Sequence, residues 1–349
     1  MIPHSKPSID QTDIASVTRA LSERRLSGGY YVEEFEAKLA GFFSLAGAVA
    51  TNSGTTALHL ALLGLNIGRG HEVAIPSYVC VSLLHALRYV GASPLLIDTD
   101  FESMNLDIHD LHRKVTPRTK AVIVPHLFGC PVEMEPIQSL DIPIIEDCAQ
   151  SLGASRDGRL AGSCGALTVC SFYATKVIAC GEGGMVCARS KSVTEKIRDL
   201  REVDEKENFM LRYNYKMSDI HASLGLSQFA RLDEFIQTRK SLAAAYTEAF
   251  RDLPVALPKV PKNNSHIYYR YVIKVPIRAD KIIIKMNAAG ISCRRPIFKP
   301  LHHFVKTKAC PITDTVYDQA ISLPIYPGLT SDEQAYIVET FNKIVRETV

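Results

Sequence analysis

The chain has 349 residues, 46% of them hydrophobic and 22% charged, which is typical of a globular protein with a substantial buried core. Its formal net charge of +3 comes from 40 basic and 37 acidic residues dispersed along the chain, which argues against a nucleic-acid partner. Apolar runs stay well below the roughly 20 residues that cross a bilayer, and the nine cysteines form no CxxC pair, so we expect no membrane partner, no metal site and a cytoplasmic location.

Helical and strand patterns alternate in the first half of the chain. Helices are predicted over 33–43 and 55–65, on either side of a strand over 46–54 that ends in a turn. Another helix is predicted over 81–91. Short apolar runs that end in polar or glycine residues indicate buried strands of a mostly parallel sheet, and these runs cover 71–77, 92–100, 119–129 and 142–150.

The second half continues this pattern and then changes. Strands are predicted over 167–174 and 183–189, one on each side of Lys176, and a long helical region follows over 218–250. Beyond a linker that contains several prolines, one strand pattern and two helix patterns remain, at 266–275, 279–290 and 331–345. We therefore predict a large α/β domain over residues 1–240 and a smaller α+β domain over residues 241–349.

The stretch "SFYATKVIACGEGG" (171–184) places Lys176 between an apolar run and a glycine cluster. A lysine at the end of a buried strand is costly unless its amine is used. The glycines that follow allow the backbone to approach a ligand closely. The alternative interpretation is an ordinary surface lysine in a loop.

Two other predicted strand ends carry polar residues. "NSGTT" (52–56) opens a helix, where free N–H groups and the positive end of the helix dipole suit a phosphate. In "IIEDCAQ" (144–150), Asp147 ends an apolar strand, where a carboxylate requires a cationic partner or several hydrogen bonds. Each stretch has a simpler interpretation as a helix cap, and the first is not a Walker A loop because no GK[ST] follows it.

Together these three stretches match what pyridoxal phosphate requires: an anchored phosphate, a carboxylate that keeps the pyridine nitrogen protonated, and an amine for the Schiff base. The chain resembles the DegT/StrS family of sugar aminotransferases, which are fold-type I pyridoxal phosphate enzymes. The resemblance covers nearly the whole chain and rests on the order and spacing of "LSGGYYVEEFE", "ATNSGTTALHLAL", "GHEVAIPSYV", "DCAQSLGA", "SFYATK", "GEGGMV", "YNYKMSDIHASLGLSQFARLD", "RRPIFKPLHH" and "SLPIYPGLTSDE". It implies the aspartate aminotransferase fold, with helices flanking a mostly parallel central sheet and a smaller C-terminal domain.

The resemblance also implies roles for individual residues. Lys176 matches the lysine that holds the cofactor as a Schiff base and moves the proton, Asp147 the carboxylate paired with the pyridine nitrogen, and Gln150 the amide near the cofactor's phenolic oxygen. The phosphate cradle matches Ser171 and the start of the helix after the first strand, that is Gly54, Thr55 and Thr56.

Two positions leave alternatives open. Asn214 in "YNYKMSD" matches the segment that reaches the phosphate of the neighbouring subunit, although Lys216 could take this place instead, and such a shared site implies an obligate homodimer. Family members often stack an aromatic residue on the pyridine ring where this chain has Cys80 in "PSYVC". Either Tyr78 swings in, or a small sulfur side chain replaces the stack, and a cysteine is more often simply a small buried hydrophobe.

The implied reaction moves an amino group from L-glutamate to a keto sugar attached to a nucleotide, as in amino-sugar biosynthesis for cell-surface polysaccharide or secondary metabolites. Arg294, Arg295, His302 and His303 are candidates for binding the donor carboxylate or the nucleotide phosphates, or else they form a solvated basic loop. Lys176 argues against the relatives that carry histidine at this place and dehydrate the sugar. Two alternatives remain, an aminotransferase of a non-sugar ketone and a regulatory protein that has kept the fold without turnover.

Overall fold

The structure is a computed structural model that describes residues 1–305 and 310–349. No helix in this part of the chain is long and apolar enough to cross a membrane. The helices are α1 Gln11–Ser22, α2 Tyr30–Phe43, α3 Gly54–Gly64, α4 Ser82–Val90, α5 Ile108–Lys114, α6 Glu135–Gln138, α7 Lys191–Arg201, α8 Asp219–Ala230, α9 Leu232–Phe250, α10 Asp280–Ala288, α11 Leu301–Val305, α12 Pro311–Gln319 and α13 Ser331–Thr348. The strands are β1 Gly47–Thr51, β2 Glu72–Pro76, β3 Ser93–Ile97, β4 Thr119–Pro125, β5 Ile144–Asp147, β6 Ser155–Arg156, β7 Arg159–Leu160, β8 Leu167–Ser171, β9 Gly184–Ala188, β10 Asn264–Ser265, β11 Tyr271–Lys274 and β12 Ala320–Leu323.

A seven-stranded sheet with the order β1-β9-β8-β5-β4-β2-β3 forms the centre of the protein. Its strands run parallel except β9, which is antiparallel to both of its neighbours, β1 and β8. The prediction of a mostly parallel sheet is therefore confirmed. Because parallel strands end at the same edge, the residues that follow β1, β5 and β8 are brought together there.

Both faces of this sheet are covered, as the apolar strand runs require. Within β1, Val49 points into a core that α3 and α4 cover, whereas Ala48 and Ala50 point into a second core that α2 and α8 cover. The strands β4, β5 and β9 are buried along nearly their whole length. This burial explains why these strands read as continuous apolar runs in the sequence.

The helices differ from the prediction in several places. The region 218–250 is two helices, α8 and α9, separated at Arg231, whose guanidinium forms ion pairs with Asp10 and Asp13. The helices α1, α5, α6, α7, α11 and α12 were not predicted. In α1 the only buried residues are Asp13 and Ala20, although Ile14, Val17 and Leu21 repeat at helical spacing.

A separate, smaller core lies in the C-terminal part of the chain, away from the two cores of the central sheet, around the antiparallel pair β11 and β12. The N-terminus also packs here, because the Ile2 N–H donates to the Gly290 carbonyl at 2.8 Å and the Ile2 side chain belongs to this core. The helix α9 connects the two parts, with Phe235 in the core of the large sheet and Phe250 in the smaller core. The division at 240/241 stays a prediction.

Candidate active site

The carboxyl edge of the central sheet contains a cavity of about 230 Å³. The strand ends of β1, β5 and β8 supply its polar lining, as the positions of the three sequence stretches led us to expect. The predicted residues that line it are Gly54, Thr55, Cys80, Asp147, Gln150, Ser171 and Lys176. We call this space the first cavity.

One wall of the first cavity is the N-terminus of α3. Ser53 caps the helix, since its side chain accepts the Thr56 N–H at 3.2 Å and the Thr56 side chain in turn accepts the Ser53 N–H. Within the described part of the chain, no hydrogen bond engages the N–H groups of Gly54 and Thr55. Ser171 lies directly beside them, because a Cβ at Gly54 would be 2.8 Å from the Ser171 Cβ. Two free N–H groups and a hydroxyl at a helix N-terminus form a site for an anion.

A buried carboxylate forms the opposite side. Asp147 is 7% exposed, and its Oδ1 accepts the Ala149 N–H at 2.9 Å. Burial raises the pKa of the Asp147 carboxyl, although the Ala149 hydrogen bond and the charge of Lys176 partly oppose this effect. The Gln150 Oε1 accepts the Phe128 N–H at 2.9 Å, which fixes the amide beside Asp147.

Lys176 lies in the loop that joins β8 to β9, between the two strands predicted to flank it. Its N–H donates to the Tyr173 carbonyl at 2.8 Å, and Tyr173 pairs with Gly181 across the loop. No ion pair of the described residues includes Lys176, and its Nζ lies 5.4 Å from the centroid of the Tyr269 ring. The amine is therefore held in the site without a direct ion pair among the described residues, although Asp147 lines the same cavity.

A second cavity of about 230 Å³ adjoins the first and shares Cys80, Gln150 and Lys176 with it. The remaining lining residues are mainly aromatic, apolar or cationic, and include Phe128, Tyr269, Arg270, Phe298, Lys299 and Phe304. None of the described residues that line it is an aspartate or glutamate. Lys176 thus lies where a site for one anionic group adjoins a second cavity of similar volume that is lined by positive charge.

Tyr269 and Arg270 are site residues that the sequence analysis missed. Burial alone would raise the pKa of the Tyr269 phenol, but the charges of Lys176 and Arg270 and a hydrogen bond with Thr175 lower it to about 8. The Arg270 guanidinium lies 4.7 Å from the centroid of the same ring. The run "YYRY" at the start of a strand was the available signal, but an aromatic strand start is equally typical of a core.

The structure does not bring four other sequence candidates to either cavity. Arg295 forms an ion pair with Asp280 at 2.8 Å, and Arg294 is exposed outside both cavities. His302 and His303 both bond to the Asp314 carboxylate, at 3.0 and 2.7 Å. In the described chain these residues therefore do not face the space beside Lys176.

The two open positions are partly resolved. Tyr78 does not swing in, because its side chain is fully buried and packs against Phe128, whereas Cys80 is exposed and lines both cavities. Of the two alternatives for the stacking position, the structure therefore favours the small sulfur side chain. Asn214 and Lys216 line neither cavity of their own chain, and the contact with a partner subunit stays a prediction. Thr56 also lies outside both cavities.

The residues of the first cavity fit pyridoxal phosphate. The free N–H groups of Gly54 and Thr55, with the Ser171 hydroxyl, suit its phosphate. Asp147 is a buried carboxylate with a raised pKa, so a cationic ring nitrogen would supply the partner that it lacks. Lys176 offers an amine between these two ends of the cavity.

Comparisons with known proteins agree with this fit. A model of the DegT/DnrJ/EryC1/StrS aminotransferase family matches residues 7–342. The chain is 31% identical to a GDP-perosamine synthase from Escherichia coli O157:H7 over 98% of both chains. It is also 31% identical to a dTDP-3-amino-3,4,6-trideoxy-alpha-D-glucose transaminase from Micromonospora megalomicea subsp. nigra, over 95% of this chain and 94% of that protein.

Among solved structures, the aminotransferase TlmJ from Streptoalloteichus hindustanus superimposes with a TM-score of 0.95 and 26% identity, covering 99% of both chains. The matches extend over the whole site, from the helix α3 to the second cavity. The chain therefore belongs to the DegT/DnrJ/EryC1/StrS aminotransferase family and is a pyridoxal phosphate-dependent aminotransferase.

Proposed function

We propose that this enzyme moves the amino group of L-glutamate to a keto sugar attached to a nucleotide. The observation that carries the proposal is the junction of two cavities at Lys176, of which one fits the cofactor and the other is cationic, partly aromatic and free of carboxylates. Positive charge suits a nucleotide diphosphate, and aromatic faces suit sugar and base rings. The names of the two relatives, which differ in the nucleotide, support the same substrate class.

When bound, pyridoxal phosphate supplies an electrophilic carbon and an aromatic ring that withdraws electrons from the reacting carbon. Asp147 would pair with the ring nitrogen and keep it protonated, and Gln150 would orient the ring from the same strand end. Ser171 and the N–H groups of Gly54 and Thr55 would hold the phosphate. Lys176 would hold the cofactor through its amine and would move a proton to or from the substrate carbon.

The two ends of the second cavity have different roles. Near Lys176, the buried phenol of Tyr269 excludes water from the reacting atoms. At the outer end, Lys299 and the exposed ring of Phe298 are available to a phosphate and a base. Phe304 supports Lys299, whose Nζ lies 4.6 Å from its ring centroid.

We also propose that the enzyme acts as a homodimer in the cytoplasm. The segment 202–217 carries an apolar tip, where Phe209 is fully exposed and Leu211 is 69% exposed. Such exposure of large apolar side chains is typical of an interface. Asn214 and Lys216 follow this tip, and their position outside their own cavities supports a role in the partner's site. The nine free cysteines fit a reducing compartment.

The test is amine transfer to a panel of acceptors. Purified enzyme with L-glutamate is incubated with GDP- and dTDP-linked hexoses that carry the ketone at C3 or C4, and with simple non-sugar ketones. We expect 2-oxoglutarate and an aminated nucleotide sugar by mass spectrometry, and neither product with Lys176→Ala. Amination of non-sugar ketones alone would contradict the proposal and favour the alternative substrate class.

A further inference from the structure

Arg270 carries a positive charge into the second cavity that no carboxylate offsets. Its guanidinium contacts His4 Nδ1 at 3.1 Å and the Tyr269 hydroxyl at 3.3 Å, and no ion pair of the described residues includes it. The cavity lining likewise contains no aspartate or glutamate. A half-buried guanidinium without an acidic partner, next to the reacting amine, is suited to bind an anion of the substrate.

His4 fixes the direction of this guanidinium. Arginine has only donors, so the His4 Nδ1 must accept from Arg270, and the ring proton must then lie on Nε2. The Nε2–H donates to the Ser322 Oγ at 2.8 Å. His4 is 3% exposed, and burial, followed by the nearby Arg270 and Arg294, lowers its pKa to about 2. The ring therefore stays neutral and orients Arg270 without cancelling its charge.

The distance between the two cations limits what can bind. The Lys176 Nζ and the Arg270 Cζ lie 5.4 and 4.7 Å from the centroid of the same Tyr269 ring, so they are at most about 10 Å apart, the sum of these two distances. In an extended glutamate, the amine and the side-chain carboxylate carbon are separated by four bonds, roughly 5 Å. A paired carboxylate carbon lies about 4 Å from the guanidinium carbon. Glutamate would need about 9 Å between the two cations, the sum of these two lengths, and this lies within the upper limit.

We propose that Arg270 binds the side-chain carboxylate of a dicarboxylic amino donor, and that His4 is a positioning residue that holds Arg270 for this purpose. The inference rests on the proposed function for the identity of the donor, but it does not depend on the acceptor. It gives the N-terminal residues a part in donor selection. Arg294, a sequence candidate for the same task, is exposed and outside both cavities.

The test measures the donor half-reaction alone, as the single-turnover loss of the coloured resting enzyme. Arg270→Gln should weaken the apparent affinity for L-glutamate by about 10- to 100-fold, because a charge-assisted pair is lost. The rate with L-alanine, which has no side-chain carboxylate, should change by less than about threefold, which also shows that the variant is folded. Calorimetric titration with glutarate, which cannot react, should show the same loss of binding. Arg294→Gln is the matched control and should leave both measurements unchanged.

The role of His4 is tested by two substitutions of different chemistry. His4→Leu removes the acceptor and should raise the KM for L-glutamate about tenfold while kcat stays within about twofold. His4→Gln keeps an acceptor for Arg270 and should restore most of the affinity. A structural role alone would lower stability in both variants without separating KM from kcat.

Several results would overturn the inference. An unchanged glutamate affinity in Arg270→Gln would do so, as would an effect confined to Arg294→Gln or an equal loss with L-alanine. A loss only in the acceptor half-reaction would assign Arg270 to the acceptor's phosphates. If the wild type reacts with L-glutamate but aminates no nucleotide sugar, the proposed function fails while the assignment of Arg270 stands.

Discussion

Tyr269 and Lys176 are far apart in the sequence, yet the lysine amine lies 5.4 Å from the centroid of the phenol ring. Burial destabilises the phenolate, but the charges of Lys176, Arg270 and Arg239 and the hydrogen bond with Thr175 together outweigh it. As a result the pKa of Tyr269 falls to about 8. The phenol is therefore a reporter of the charge at Lys176.

We predict that cofactor-free enzyme contains one tyrosine that ionises near pH 8, seen in the ultraviolet absorbance of tyrosinate. Tyr269→Phe should remove this transition, and Lys176→Ala should move it toward the ordinary value of about 10, because one cation is lost. Buried tyrosines such as Tyr78 and Tyr246 do not interfere, since burial raises their pKa values.

The same shift has a consequence for stability. The pKa of Tyr269 is lower in the folded than in the unfolded chain, so its contribution to the free energy of unfolding is fully present above about pH 10 and is lost as the pH falls through about 8. The stability difference between wild type and Tyr269→Phe should therefore grow between these two values. A difference that is constant over this range would contradict the account.

The sequence predicted the residues of the first cavity better than those of the second. Asp147 and Ser171 are the last residues of β5 and β8, and Lys176 follows β8, so the order of the strands alone brings them to one edge. Arg270 comes from the smaller part of the chain, and its place depends on how that part packs against the sheet. No local pattern contains this information. Arg295 is the opposite case. It was a sequence candidate for the site, but its ion pair with Asp280 could not be foreseen from the sequence.

At the scale of elements, the close contact between the helix α3 and the strand β8 depends on a glycine. Gly54 is the first residue of α3, and a Cβ there would be 2.8 Å from the Ser171 Cβ and 3.1 Å from its Oγ. A side chain at this position would separate the helix N-terminus from the strand end. The anion site between them requires both.

Gly54→Ala should therefore weaken cofactor binding and lower the free energy of unfolding by about 1–3 kcal/mol, the usual cost of overpacking. The measurements are cofactor affinity by equilibrium titration and stability by denaturant unfolding. The matched control is Gly41→Ala in α2, where a Cβ would meet nothing within 4 Å. That variant should be as stable as the wild type or slightly more stable, since alanine favours a helix. Equal behaviour of the two variants would show that the contact with Ser171 is unimportant.

The elements of the fold were predictable to different degrees. The strands of the central sheet are buried on both faces and have continuous apolar runs, so their number and mostly parallel arrangement followed from the sequence, whereas the antiparallel direction of β9 did not. The helices α1 and α7 bury few apolar side chains and depend on polar partners, such as the capping box of Asp10 and Asp13. In α7 the apolar residues Val193, Ile197 and Leu200 nevertheless repeat at helical spacing, so the sequence contained a signal for this helix that the prediction missed.

At the scale of the whole molecule, we proposed that two chains complete each site, with Asn214 and Lys216 acting in the partner's site. The mixing experiment uses two inactive variants, Lys176→Ala and a double variant with Asn214→Ala and Lys216→Ala. In a mixed dimer with shared sites, one pocket contains neither lesion. About a quarter of the wild-type activity should return if subunits exchange at random, since half of the dimers are mixed and half of their pockets are intact.

A second mixture controls for recovery by other means. Lys176→Ala with Asp147→Ala places both lesions in residues that line the cavity of their own chain, so every pocket of a mixed dimer carries one lesion. This mixture should remain inactive. If verified subunit exchange restores activity in neither mixture, all site residues belong to one chain and the shared site must be abandoned.

The position of the covalently bound cofactor tests the central claim most directly. Borohydride reduction of the cofactor-loaded enzyme, followed by digestion and mass spectrometry, should place the reduced pyridoxyl group on the peptide that contains Lys176 and on no other lysine. Incubation with L-glutamate before reduction should remove the label, because the amino donor releases the cofactor from the lysine. A label on a different lysine, or none at Lys176, would contradict the site described for this enzyme.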